Sequence, residues 1–206
     1  MDIRKTKVDL PPVRRMGTKH TNDKLAFVLD NVLTEDECKA LIEETEEKGY
    51  EAALLNVGNG RQVLDTTYRN SKRCIVDSED KAGWLWDKIK DFIPDTWNSY
   101  PVVGLNERLR FLKYEGGEYF KAHMDGTYVR PDGSERSYIT IQLYLNEGFE
   151  GGNTTFLSNH SELEDRGVVP KPGRILVFQH DILHEGSLLV KGTKYTMRTD
   201  IMYKIR

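Results

Sequence analysis

A chain of 206 residues, 38% hydrophobic and 31% charged, can bury one core without disulfides and has the composition of an ordinary globular domain. Its net charge of -3 argues against a dedicated nucleic-acid binder. Two cysteines, Cys38 and Cys74, make neither a disulfide framework nor a zinc knuckle, and no stretch has the length of a signal-peptide core or a membrane span. The expected setting is cytoplasmic or nuclear, with no nucleic-acid or membrane partner, as a monomer or homodimer.

Residues 1–24 are basic, carry Pro11 and Pro12 and show no sustained periodicity, so a flexible N-terminal arm is expected. Residues 25–206 then form a single domain. Thr34 and Glu37 have capping-box spacing, Cys38, Leu41, Ile42 and Thr45 follow at helical intervals, and Gly49 ends the helix. A second helix is predicted over 79–93, with Ala82, Leu85, Trp86, Ile89 and Ile93 as its apolar stripe and Pro94 as its stop. Residues 25–100 are thus expected to be helical support. From Pro101 onward the period changes to two. The candidate strands are ERLRFLKY, YFKAHMD, YITIQLYL, NTTFL, RILVF, HEGSLLV and KYTMRTDIMYK, separated by turns such as Gly116-Gly117, Asp132-Gly133, Gly151-Gly152 and Pro172-Gly173. Short strands so spaced predict a β-sandwich or barrel over 101–206, with the helices against one face.

His123 and Asp125 are two apart on a predicted strand, so both point to one side. An imidazole and a carboxylate suit a first-row divalent metal. A third ligand is needed. His20 falls in the arm and His160 in the polar stretch SNHSELED, which leaves His180 and His184 around the end of the RILVF strand. His184 opens the next strand, with Gly186 giving room beside it, and is taken as the ligand; His180 is assigned to the turn. Two histidines and one carboxylate leave coordination positions open for a bidentate co-substrate and O₂, an arrangement of Fe(II) oxygenases. A 2-keto acid co-substrate needs a cation for its far carboxylate. Lys194 and Arg198, four apart on the last strand, are the two candidates, with Lys194 favoured. Tyr144, on a face with Thr140 and Gln142, and Tyr114, just upstream of the His-x-Asp pair, are candidate co-substrate contacts.

The stretches RFLKYEGGEYFKAHMDG, RSYITIQLYLNEGFEGGNTTF and PGRILVFQHDILHEGSLLVKGTKYTMRTDIMY, in this order, resemble the prolyl 4-hydroxylase-like branch of the Fe(II)/2-oxoglutarate-dependent dioxygenases. The resemblance is good over 105–204 and looser from Leu25. It implies an α+β, mainly β fold: a double-stranded β-helix, or jelly roll, supported by N-terminal helices. It places the metal on His123, Asp125 and His184, and 2-oxoglutarate on Lys194 with Tyr114 and Tyr144; branches with arginine at the anchor keep Arg198 in play. It implies Fe(II), 2-oxoglutarate and O₂, with ascorbate as reductant, and hydroxylation of a C–H bond as 2-oxoglutarate becomes succinate. The implied substrate is a prolyl or other residue in a peptide or protein; a free amino acid or small acidic metabolite is the alternative. Arg110 shares a face with Tyr114, and Arg130 and Arg136 flank the loop after the His-x-Asp pair, so these three, with Gln142, are the candidate substrate contacts. From other classes, a catalytically silent metal-binding interaction protein and a metal-dependent hydrolase remain as readings.

Overall fold

The structure, a computed structural model, describes residues 2–15, 18–56, 61–161 and 164–205. The first helix, Glu35–Lys48, begins where its capping box dictates: the Glu37 amide donates to Thr34 Oγ1 at 3.1 Å and the Thr34 amide to Glu37 Oε2 at 2.8 Å. It ends at Gly49, whose φ of 88° suits a residue without Cβ. The second helix, Glu79–Ile89, passes into a 3₁₀ turn at Lys90–Phe92 and so stops short of the expected 93. Among the described residues no helix is long and apolar enough to cross a membrane.

Eight strands form the path of the large antiparallel sheet, in the spatial order Arg4–Lys7, Ala26–Asp30, Ile175–Gln179, Glu135–Tyr144, Thr193–Lys204, Arg108–Glu115, Lys72–Asp77 and Glu51–Ala52. A smaller sheet runs Phe120–His123, His184–Gly186, Thr154–Phe156, Arg166–Val168. Strand parity divides the core. On Glu135–Tyr144, Ile139, Ile141 and Leu143 join Phe111, Met197 and the helix residues Leu41, Leu85 and Ile89 on the outer face. Tyr144, on the other face, meets Phe178 and, from the smaller sheet, Phe156. Two facing sheets with helices behind the larger one are the double-stranded β-helix expected from the resemblance.

Three expectations need correction. Arg4–Lys7, inside the expected flexible arm, is a strand on Ala26–Asp30 with Arg4 opposite Asp30 and Lys7 opposite Phe27, and Leu10 behind it is buried. All four strand residues are exposed, so no alternation marks them. The expected helical support also contains Ala26–Asp30 and Lys72–Asp77, both members of the large sheet. Ala26–Asp30 is buried at every position and therefore has no period of two. HEGSLLV divides between the sheets' neighbours: His184–Gly186 stays in the smaller sheet, while Leu189–Lys191 pairs with Glu150–Gly151.

Candidate metal and co-substrate site

Register brings the histidines together. His123 pairs opposite His184, and His184 opposite Phe156, across the smaller sheet. Asp125 lies just past the end of its strand, where its amide donates to the His180 carbonyl at 3.0 Å. His123 Nε2 is 3.9 Å from Asp125 Oδ1, His184 Nε2 is 3.9 Å from Asp125 Oδ2, and ligand atoms of all three lie within 4.8 Å of one another. The remaining ring nitrogens are engaged. His123 Nδ1 lies 2.7 Å from the Lys121 carbonyl and His184 Nδ1 2.9 Å from that of Ile182. With Nδ1–H donating there, each Nε2 keeps a lone pair for the shared space. Phe120 stacks on His123 with centroids 3.7 Å apart, and Phe178 meets His184 edge-on at 4.7 Å.

The charges around the cluster are paired in a chain. Burial disfavours the Asp125 carboxylate, but Arg198, the two histidines and the Thr140 hydroxyl outweigh it and hold its pKa well below the usual carboxylate range. The Thr140 hydroxyl donates to Asp125 Oδ2 at 2.5 Å, and Arg198 Nη2 stands 3.1 Å from both Asp125 Oδ1 and Asp200 Oδ1. His180 is no part of the donor cluster: its Nε2 faces Asp200 at 3.4 Å. Burial, and then the neighbouring His184, lower the pKa of His123 to about 4, which keeps it neutral and able to donate a lone pair.

Lys194 projects into the same cavity as the cluster, and its surroundings differ from those of Arg198. Its ammonium donates to the Gly152 carbonyl at 2.6 Å and sits 4.6 Å from the centre of the Tyr114 ring. Among the described residues no carboxylate pairs with it, and burial lowers its pKa to about 7. A buried cation without an anion is complementary to a ligand carboxylate, whereas Arg198 is already held by two aspartates. Two imidazoles and a carboxylate about a common point, with an unpaired buried cation in the same cavity, fit an Fe(II) ion and a 2-keto dicarboxylate.

Arg110, Gln142 and Tyr114 line this cavity. Tyr144 does not: it is wholly buried, and its hydroxyl donates at 2.8 Å to Thr154, which is the residue at the wall. Its face was the expected one, but it lies deeper. Arg130 and Arg136 also lie outside. Arg130 forms a two-pronged pair with Glu107 at 2.6 and 2.7 Å and a third contact with Glu135, which pins the loop. Arg136 is exposed and lies over the Tyr138 ring. Sequence reasoning passed over Arg69, Thr154 and Glu185, all at the cavity wall. Arg69 arrives through a single bridge to Phe120, a long-range pairing that leaves no local signal.

Residues 109–199 match the model of the 2OG-Fe(II) oxygenase superfamily. Over this barrel core the chain is similar to prolyl 4-hydroxylase-like 2OG-Fe(II) oxygenases. The chain is 27% identical over 199 residues to Prolyl 4-hydroxylase 2 of Arabidopsis thaliana, covering 83% of this chain and 64% of that one. It is 28% identical over 198 residues to Probable prolyl 4-hydroxylase 10 of the same plant, with 83% and 66% covered. The oxygenase-like chain thus spans just under two thirds of these relatives' length. Among solved structures, a Pseudomonas putida prolyl-4-hydroxylase superposes with a TM-score of 0.61 at 20% identity, over 87% of this chain and 93% of that one. A Trichoplax adhaerens prolyl hydroxylase, in complex with a hypoxia inducible factor oxygen degradation domain peptide fragment, gives 0.68 at 17%, over 87% and 84%. At these identities the superpositions speak for the fold.

Proposed function

We propose that the chain is an Fe(II)- and 2-oxoglutarate-dependent dioxygenase that hydroxylates a C–H bond, most readily in a prolyl residue of a peptide or protein. The observation that carries this reading is the His123–Asp125–His184 cluster sharing one cavity with the unpaired, buried Lys194. In this reading the three clustered residues hold iron, and Lys194 receives the far carboxylate of 2-oxoglutarate. Iron supplies the redox chemistry for O₂, and the balance is 2-oxoglutarate, O₂ and R–H giving succinate, CO₂ and R–OH. The chain's own work is placement. Thr140 and Arg198 fix the Asp125 carboxylate, two backbone carbonyls fix the imidazoles, and Tyr114 and Thr154 wall the co-substrate side. The prolyl assignment is drawn from the relatives' names.

The test is succinate release from 2-oxoglutarate under O₂, with and without Fe(II), together with mass spectrometry of proline-containing peptides for a gain of 16 Da. His184→Ala should abolish both signals and lower Fe(II) affinity by at least about a hundredfold, on the scale of a lost direct ligand. His180→Ala keeps the backbone carbonyl that holds Asp125 and should retain most turnover. Metal binding without succinate under any condition would favour a silent metal-binding protein instead.

A further inference from the structure

The cavity carries more positive charge than the metal and co-substrate use. Arg69, Arg110, Lys194 and Arg198 stand against Asp125, Asp200 and Glu185 in and behind its wall. A divalent ion and a dianionic co-substrate add no net charge, so the loaded site remains positive. Lys194 is committed to the co-substrate and Arg198 to its two aspartates. That leaves Arg69 and Arg110 against the single carboxylate of Glu185.

Their geometry shows that they are short of partners. Arg110 lies directly opposite Arg198 on the neighbouring strand, and Arg198 opposite Gln142 on the next, so two guanidinium groups meet side by side. Like charges so placed repel unless an anion lies between them. Asp200 serves only in part: it already holds Arg198 at 3.1 Å and faces His180 at 3.4 Å, and it reaches Arg110 Nη1 at 3.5 Å. That nitrogen is shielded from solvent and hydrogen-bonded to nothing. Arg69 lies over the Phe120 ring at 4.5 Å, and that ring stacks on His123. Its Nε donates to Ser71 Oγ at 3.0 Å, and among the described residues no carboxylate pairs with it. The two guanidinium groups therefore reach one cavity with donors to spare, next to the metal cluster.

From this, and resting on the dioxygenase reading above, we infer that the substrate carries a carboxylate near the carbon that is oxidised, and that Arg69 and Arg110 receive it. Guanidinium and carboxylate are matched in shape and charge, and a planar two-donor fork fixes the substrate's orientation as well as its affinity. The carboxylate has three chemical sources: a free imino or amino acid, the C-terminus of a peptide, or an acidic side chain beside the target residue.

Matched acid and amide probes separate them. Succinate release with Fe(II), 2-oxoglutarate and O₂ is measured for L-proline and L-prolinamide, for acetyl-Ala-Ala-Pro as free acid and as C-terminal amide, and for acetyl-Ala-Asp-Pro-Ala-amide and its Asn counterpart. In at least one pair the acid should exceed the amide in kcat/KM by at least about tenfold, a modest share of what a buried charge pair is worth; the pair that does so names the source. Arg110→Gln and Arg69→Gln should each pull that ratio toward one, and Arg110→Lys, which keeps the charge and loses the fork, should fall between. The ratio is read within each variant, so a partly unfolded preparation does not imitate the effect. Amides equal to acids, a ratio that survives both Gln substitutions, or no stimulation by any acid would overturn the inference. Failure to form succinate even without a probe would instead remove the dioxygenase reading, and this inference with it.

Discussion

Lys194 shows how one side chain can make a site both expectant and pH-sensitive. Burial lowers its pKa to about 7 from an ordinary 10.5, and the Gly152 carbonyl is its sole hydrogen-bond acceptor among the described residues. Between those two values the unfolded chain binds a proton that the folded one lacks. This group's contribution to stability therefore rises with pH across that window and is lowest below about 7. A carboxylate arriving at Lys194 favours the charged form again. In the proposed role, 2-oxoglutarate binding should take up about one proton at pH 8 and close to none at pH 6. Calorimetric titration of the metal-loaded, oxygen-free protein, in buffers of different ionisation heat, measures this uptake directly. Lys194→Arg should remove the difference, because arginine stays charged throughout. Equal uptake at both pH values in the wild-type chain would move the anchor away from Lys194. Arg198 is a poor substitute, since Asp125 and Asp200 already hold it.

Strands and helices fix the site through a few tight crossings. Gly173 has a φ of 71°, and a Cβ there would come 2.0 Å from the Leu33 carbonyl oxygen. That glycine's own carbonyl accepts from the Val32 amide at 3.0 Å, so it ties the approach to the first helix to the strand Ile175–Gln179, which carries Phe178. Gly173→Ala should cost about 1–3 kcal/mol from the backbone conformation, with the clash added to it. Urea unfolding should show a lower midpoint at unchanged slope; a midpoint within error of wild type would mean the crossing relaxes freely. The elements legible in the sequence were those with strong local signals: the first helix through its Thr34–Glu37 box, and strands in which polar and apolar residues alternate, such as Arg108–Glu115. The wholly exposed Arg4–Lys7 and the wholly buried Ala26–Asp30 have no alternation to read. The same divide runs through the site. His123, Asp125, His184 and Lys194 followed from spacing and order. The pairing of Arg130 with Glu107, the depth of Tyr144 and the arrival of Arg69 depend on contacts between distant segments.

Across the whole molecule, the first residues close the sheet beside the supports of the clustered histidines. Arg4–Lys7 covers the outer edge of Ala26–Asp30, which in turn pairs with Ile175–Gln179. Lys5 donates to the Phe92 carbonyl at 2.8 Å and lies over the Phe27 ring, so this strand also reaches the turn after the second helix. Leu10 enters the inner cluster with Val28, Phe156 and Phe178, the last two of which pack on His184. Deleting residues 2–10 should therefore remove one buried leucine, about 1.5–3 kcal/mol, and a row of backbone hydrogen bonds as well. A loss of about 3 kcal/mol corresponds to roughly 6–12 °C in Tm for a domain of this size. The deletion also bares a flat apolar strand edge, which is a template for pairing with a second chain. Light scattering should accordingly show association that grows with protein concentration, while Fe(II) affinity falls by less than about tenfold, because His123, Asp125 and His184, the proposed ligands, and the carbonyls that hold the two imidazoles remain. Thermal unfolding and sedimentation of the deletion variant test both parts. An unchanged Tm with a monomeric variant would mean that these residues lie on the sheet without holding it, and the flexible-arm reading of 1–24 would return.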